Sequence, residues 1–206
     1  MKNKKLYIVF LVSLSIFLFL AFIVYKHNYI SNYELKIINF IQKNLAAIPL
    51  KVPVFITDLA YGIIRNYIVW IVALIFLICK KYKDFIIFLL ALPITQYLYS
   101  YIKIIIARPR PPIEMRLIEV KHYSFPSGHS IMSMVLYGLL IYFVYKYVKN
   151  QILKIALISV LSILIIAIGF SRVWLGVHFP TDVIGGFALG ICCLCLFIYI
   201  DNFKFK

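Results

Sequence analysis

Six stretches of the chain are apolar for long enough to cross a bilayer, and the polar residues fall between them. A spanning helix needs about 20 mostly apolar residues. Such runs extend roughly over Leu6–Tyr25, Tyr61–Cys79, Phe85–Ile106, Ser130–Tyr147, Ile152–Phe170 and Val183–Ile200. The pattern predicts an all-α integral membrane protein with six transmembrane helices in one bundle. No repeat, low-complexity tract or linker marks a second domain, so residues 1–206 are read as a single membrane-embedded unit. The second run is the least regular, because Asp58 and Arg65 stand at or near its start. Met1-Lys2-Asn3-Lys4-Lys5 before an apolar run has the charge pattern of a secretory signal. That run is long, however, and no A-x-A-like cleavage site follows it, which favours a retained first span. Between His27 and Pro53 the chain leans polar. Glu34, Leu35, Ile37, Ile38, Ile41 and Leu45 recur there at helical spacing, which predicts an amphipathic helix lying on the outer membrane surface.

Composition agrees with the pattern: 64% of the 206 residues are apolar and only 14% are charged, outside the range of an ordinary soluble domain. Lysines gather at positions 2, 4 and 5, at 80, 81 and 83, at 146, 149 and 154, and at 204 and 206, which assigns these ends and both termini to the cytoplasm. The other side carries as many basic residues, among them Lys103, Arg108, Arg110 and Arg172, so its charges call for another explanation. A net charge of +15 fits contact with anionic lipid of a plasma membrane. Nucleic acid is disfavoured, since the basic residues are spread over helix ends on two sides and form no single patch. Cys79, Cys192, Cys193 and Cys195 lie in or beside apolar spans without zinc-site spacing and read as packing residues.

The unusual residues sit at four helix ends. With the amino terminus inside, span three exits near Ile106, span four enters near His129, span five exits near Arg172 and span six enters near Asp182, all on the outer face. Lys103 and Arg108-Pro109-Arg110-Pro111-Pro112 follow span three, and Pro126-Ser127-Gly128-His129 opens span four. Arg172, His178 and Asp182 bridge spans five and six. Taken singly, each group has a plainer reading: a proline-terminated helix with arginines in the headgroups, a capped turn, an interfacial histidine. Their convergence at one level argues for a site. An aspartate four residues after a histidine can set the tautomer of the imidazole, and a nearby guanidinium can hold an anion, which points to phosphate chemistry. His27 and His122 fit no such spacing and read as interfacial polar residues. Glu114 and Glu119 read as solvated.

Lys103-x6-Arg110-Pro111, Pro126-Ser127-Gly128-His129 and Ser171-Arg172-x5-His178-x3-Asp182 together resemble the three-part signature of the type-2 phosphatidic acid phosphatase superfamily. That family also includes soluble bacterial acid phosphatases and vanadium haloperoxidases, and the six spans resemble its membrane-bound branch. The resemblance implies an active site at the extracytoplasmic ends of spans three to six. It also implies removal of a terminal phosphate from a lipid phosphate or diphosphate through a phosphohistidine on His178.

In that reading Asp182 orients His178, and His129 serves as general acid and then base. Lys103, Arg110 and Arg172 neutralise phosphate charge. The backbone around Ser127 and Gly128, at a helix start, faces the anion, and Ser127 adds a hydroxyl donor. Arg108 is expected as an accessory phosphate contact. No acidic cluster stands ready for a divalent cation, so neither metal nor other cofactor is expected. Undecaprenyl diphosphate is placed first among the substrates, beside phosphatidylglycerophosphate and phosphatidate. A lipid phosphotransferase using the same site, and a lipid-binding or transport protein without chemistry, are the alternatives.

Further features have packing readings. Pro93 kinks span three, Gln96 bonds to a neighbouring helix, Gly186-x3-Gly190 joins span six to its neighbours, and Tyr97, Tyr99 and Tyr101 form part of an interfacial belt or line the entrance for a lipid tail.

Overall fold

The computed structural model describes residues 2–27 and 32–203. Lys204 and Lys206, used in the charge argument, lie outside them, as do the side chains of Lys2 and His27. Among the described residues there are eight α-helices, one short 3-10 turn at Ile113–Met115 and no strand. The helices are α1 (Lys2–His27), α2 (Asn32–Asn44), α3 (Lys51–Asp58), α4 (Gly62–Ile78), α5 (Tyr82–Ile106), α6 (Gly128–Tyr147), α7 (Gln151–Trp174) and α8 (Pro180–Asn202). Among the described residues six segments are long and apolar enough to cross a membrane, in agreement with the sequence pattern.

Helices α6 and α8 form the axis. In their most apolar windows 61% and 56% of residues are buried, against 17% for α1 and α7, which therefore turn most of their surface outward. Helix α8 packs between α1 and α6, and α7 packs on α6. The core runs through Ile131, Met132, Val135, Leu136 and Leu139 of α6, none of them more than 1% exposed. Phe19, Trp70 and Ile163 are each more than 60% exposed on the outer helices. Such apolar surface is a liability in water and the normal state of a helix facing lipid.

Local signals set the helix ends. Ser127 caps α6 by accepting from the backbone N–H of Ser130, and Asn150 caps α7 by accepting from Leu153 N at 3.0 Å. Pro180 occupies the first turn of α8, where its missing N–H costs nothing. Helix α5 stops where Ala107 turns left-handed (φ 50°), just before the prolines.

The second span differs from expectation. Its helix begins at Lys51, breaks at residues 59–61 and resumes at Gly62, so the crossing segment is Lys51–Ile78. The carbonyl of Leu59, freed by the break, accepts a 2.7 Å hydrogen bond from the Tyr137 hydroxyl of α6, which meets the membrane requirement that backbone groups be satisfied. The amphipathic helix expected between His27 and Pro53 is α2, but its stripe turns toward protein. Leu35, Ile38 and Ile41 pack with Val173, Phe179 and Val183, and Ile38 is fully buried. Gln42 fastens the helix by donating to Met115 O (2.9 Å) and Trp174 O (3.0 Å). Helix α2 therefore covers the loops that join α7 to α8.

At the far end of the bundle, Lys146 bridges Asp84 and Asp201, each at 2.7 Å, while Tyr147 and Tyr142 donate to the same carboxylates. This network ties α5, α6 and α8. Cys192, Cys193 and Cys195 are buried packing residues, whereas Cys79 is exposed.

Gly186 allows α8 to reach the start of α6. A Cβ placed there would lie 2.8 Å from the Ser127 carbonyl and 2.9 Å from Ser130 Cβ. Four residues on, Gly190 meets Met134 and Ile131 in the same way, so the small-residue stripe joins α8 to α6. Replacing Gly186 by Val should therefore wedge the two helices apart, with an overpacking cost of about 1–3 kcal/mol. The detergent-solubilised variant is expected to melt several degrees below the parent, and an unchanged melting temperature would show that this contact is not tight.

Candidate active site

The loop after α5, the start of α6, the end of α7 and the start of α8 meet at one end of the bundle. Backbone hydrogen bonds hold them in register: Ser124 N to Arg108 O (2.8 Å), Ser127 N to Asp182 O (3.0 Å) and Leu117 N to Leu175 O (3.0 Å). Gly176 makes the last approach possible. It has φ 66°, and a Cβ there would fall 1.9 Å from the Met115 carbonyl. These segments enclose a cavity of about 550 Å³, whose lining includes Lys103, Arg110, Gly128, His129, Arg172 and His178. Six of the expected site residues are thus brought together, and the lining contains no carboxylate among the described residues.

His178 is 2% exposed. Its Nε2 lies 3.3 Å from Arg110 Nη1 on the cavity side. Its Nδ1 lies 3.4 Å from both Asp182 Oδ2 and Ser124 Oγ. The ring is therefore held by its far edge and presents Nε2 inward. Burial, followed by the charges of Arg110, Lys103, Arg172 and Arg108, holds its pKa well below the ordinary histidine value, which keeps the imidazole neutral.

Three of the expected cations converge on the same space, whose lining also includes Lys121. Lys103 Nζ donates to Tyr123 O (2.7 Å) and Ser124 O (3.0 Å) at the end of α5. Arg110 is braced by the carbonyls of His122 (2.9 Å), Val177 (2.7 Å) and Lys121 (3.0 Å). Burial lowers its pKa to about 10, with Asp182 opposing, so it remains cationic near neutrality. Arg172 is 3% exposed and donates from Nη1 to Thr57 Oγ1 at 2.9 Å, while its buried Nε has no partner among the described residues. An unpaired buried guanidinium donor is costly. His129 stacks on Tyr61 with ring centroids 4.8 Å apart, and Arg65 lies over the same tyrosine at 5.4 Å. No hydrogen bond from protein reaches the His129 ring among the described residues, so both of its nitrogens are available for proton transfer.

Two expectations need correction. Arg108 does not line the cavity. It is 2% exposed and points behind His178, donating from Nη1 to Asp182 Oδ1 (2.6 Å) and Thr181 Oγ1 (2.7 Å), and from Nη2 to Glu34 Oε2 (2.7 Å). Two carboxylates draw it away from the cavity. Ser127 also stays out of the lining. Its hydroxyl caps α6, accepting from Ser130 N and from Ser130 Oγ at 2.9 Å, and the residue is fully buried.

Asp182 holds its shorter bonds elsewhere than the imidazole. Oδ2 accepts from Ser124 Oγ and from Phe179 N (2.9 Å), and the 3.4 Å contact with His178 is the longest of the set. Ser124 was missed from sequence, where its single signal is nearness to Pro126-Ser127-Gly128-His129. Tyr61, Gln96 and His122 also line the cavity unforeseen, Gln96 in place of the expected helix contact and His122 in place of a plain interfacial position. Tyr99 is buried in the lining, while Tyr97 and Tyr101 are 80% and 66% exposed.

The bundle and this site define a multi-pass membrane protein with a basic, histidine-bearing cavity at one helix end. The family pattern described as PAP2 superfamily matches residues 84–206, and the chain belongs to that family. It is 36% identical over 131 residues to phosphatidylglycerophosphatase B of Bacillus subtilis (strain 168), a region covering 62% of this chain and 61% of that protein. It is 28% identical over 118 residues to lipid phosphate phosphatase delta of Arabidopsis thaliana, covering 52% of this chain and 28% of the plant protein. The matched regions therefore span less than two thirds of either relative. The crystal structure of a transmembrane PAP2-type phosphatidylglycerolphosphate phosphatase from Bacillus subtilis superposes with a TM-score of 0.76 at 28% identity, covering 100% of this chain and 99% of that one. Aquifex aeolicus LpxE superposes at a TM-score of 0.59 and 26% identity, over 80% of this chain and 94% of that one.

The state of His178 makes a prediction about acid stability. A histidine held neutral in the fold regains an ordinary pKa of about 6.5 when unfolded. Below that value the unfolded chain takes up a proton that the folded chain refuses, so this residue costs stability as pH falls and contributes no such slope above it. Melting temperatures recorded from pH 7 to pH 5 should fall less steeply for His178→Asn than for the parent. Parallel profiles would contradict the buried neutral imidazole.

Proposed function

We propose that the chain hydrolyses the terminal phosphate of a membrane lipid phosphate or diphosphate, with His178 as nucleophile. One observation carries this reading: four cations, Lys103, Arg110, Lys121 and Arg172, and three histidines line a shared cavity whose described lining offers no carboxylate, and the buried Nε of Arg172 lacks a partner among the described residues. Such a site is complementary to a small, highly charged anion. Phosphoryl transfer asks chiefly for positioning and for neutralisation of non-bridging oxygens, which is the role of Lys103, Arg110 and Arg172. The backbone at Gly128 adds the positive end of α6.

In the first step His178 Nε2 forms a bond to phosphorus as the bond to the leaving oxygen breaks, and that oxygen takes a proton from His129. In the second step water attacks phosphorus and gives a proton to His129. The N–P bond breaks, releasing inorganic phosphate and restoring both rings. Asp182 and Ser124 hold Nδ1, so Nε2 carries the free electron pair in the attacking tautomer. Charge neutralisation by side chains leaves no step that requires a metal ion.

The names of the Bacillus relative and the Bacillus structure move phosphatidylglycerophosphate ahead of undecaprenyl diphosphate and phosphatidate as the first substrate to test. The lysine pattern of the sequence supports a site facing outward from the cytoplasmic membrane, with both termini inside.

Purified protein given these three lipids should release inorganic phosphate. His178→Ala should lower the rate by at least about 10³-fold. Lys103→Ala and Arg110→Ala should each lower it by about 10²-fold. The rate should be unaffected by chelators. Transfer of phosphate to a second lipid with none set free would favour the phosphotransferase, and parental activity in His178→Ala would refute the mechanism.

A further inference from the structure

We infer that Glu34, contributed by the peripheral helix α2, is a positioning residue that sets the His178 imidazole through Arg108 and Asp182. The inference rests on the phosphohistidine reading above and extends the site to a part of the chain outside the segment matched by the family pattern, residues 84–206. Glu34 is 7% exposed, an unusual place for a carboxylate on an otherwise surface-lying helix. Its Oε2 accepts from Arg108 Nη2 at 2.7 Å. Its Oε1 accepts from the Thr181 backbone N–H at 3.0 Å and from the Thr181 hydroxyl at 2.7 Å, so it also fills the open N-terminus of α8.

Arg108 is held in three directions. Glu34 draws one end of the guanidinium and Asp182 Oδ1 draws the other at 2.6 Å, while its flat face rests on the Phe179 ring at 4.1 Å from the centroid. The Thr181 hydroxyl closes the circuit, accepting from Arg108 Nη1 at 2.7 Å and donating its own hydrogen bond to Glu34 Oε1. Asp182 Oδ1 is thereby fixed, which aims Oδ2 at Ser124 and at His178 Nδ1. Without the Glu34 charge, Arg108 loses the carboxylate that opposes Asp182 and shifts toward Asp182. Asp182 then loses its fixed anchor, and the imidazole loses its angle to the phosphorus.

Positioning can be separated from simple docking because α2 has other anchors, the buried Ile38 and the two hydrogen bonds of Gln42. The experiment uses full-length protein in detergent with the panel lipid that the parent hydrolyses fastest. Glu34→Gln should lower kcat on the order of 10–100-fold with KM within about twofold, the expected scale for a misplaced reacting group. Gln42→Ala, which weakens docking without touching Arg108, should leave kcat at the parental level. The double variant Glu34→Gln/Arg108→Met should be no slower than Arg108→Met alone, since both act through one chain of contacts. If Glu34→Gln does not accumulate as folded protein, Glu34→Asp, which withdraws the carboxylate by one methylene, is scored the same way. Parental kcat in the Glu34 variant, or a change confined to KM, or an equal loss in Gln42→Ala, overturns the inference while His178→Ala remains inactive. A parent inactive on every lipid, or an active His178→Ala, instead overturns the reading on which it rests.

Discussion

The candidate site depends on one carboxylate with no exposed surface. Asp182 receives Arg108, Ser124 and the Phe179 N–H through its side chain, and Ser127 N through its carbonyl. Those partners come from the loop after α5, the segment before α6 and the turn into α8. A buried charge is tolerated only where its lone pairs are filled, so the requirement for full satisfaction forces these segments to one place. His178, four residues earlier, takes its orientation from the same set. Fold and chemistry share this constraint, since the bonds that join the loops also aim the imidazole.

The opposite imbalance holds on the cavity side. Lys103, Arg110 and Arg172 face a space without a carboxylate in its lining, braced by carbonyls and by Thr57. Dipoles can solvate a cation without cancelling its charge, so the cavity keeps a positive potential focused between apolar helices. Compensated charge behind His178 and uncompensated charge in front of it divide the polar residues into two groups. Arg108 and Arg110, two positions apart in sequence, fall on opposite sides of that division. Membership in the PAP2 superfamily, and superposition on a Bacillus membrane phosphatase at a TM-score of 0.76, place the helical bundle within a known architecture.

Much of the site was legible because the residues that define it are polar interruptions of apolar sequence. Lys103, Arg110, Gly128, His129, Arg172 and His178 each stand at the end of a span, and the alternation of spans brings those ends together. Tyr61 and Gln96 were not legible as lining residues. They lie in or beside spans, where an aromatic or amide side chain has an equally good place at an interface or against another helix. Ser124 and Glu34 escaped for a different reason, since their partners are 58 and 74 residues away and no local spacing connects them.

The sequence by itself determined how many segments are apolar enough to cross, roughly where five of the six begin and end, and which charged groups gather at one end, because a bilayer core excludes unpaired polar groups and so limits each apolar run. Tertiary structure decided which way each group points. Lipid and protein interior are equally apolar, so the pattern within a span does not say which face of the helix turns inward. The inward face of α2, the break before α4, and the turning of Arg108 toward Asp182 and Glu34 all follow from packing between distant segments. Only the folded chain shows that one arginine of the pair serves the carboxylates and the other faces the cavity.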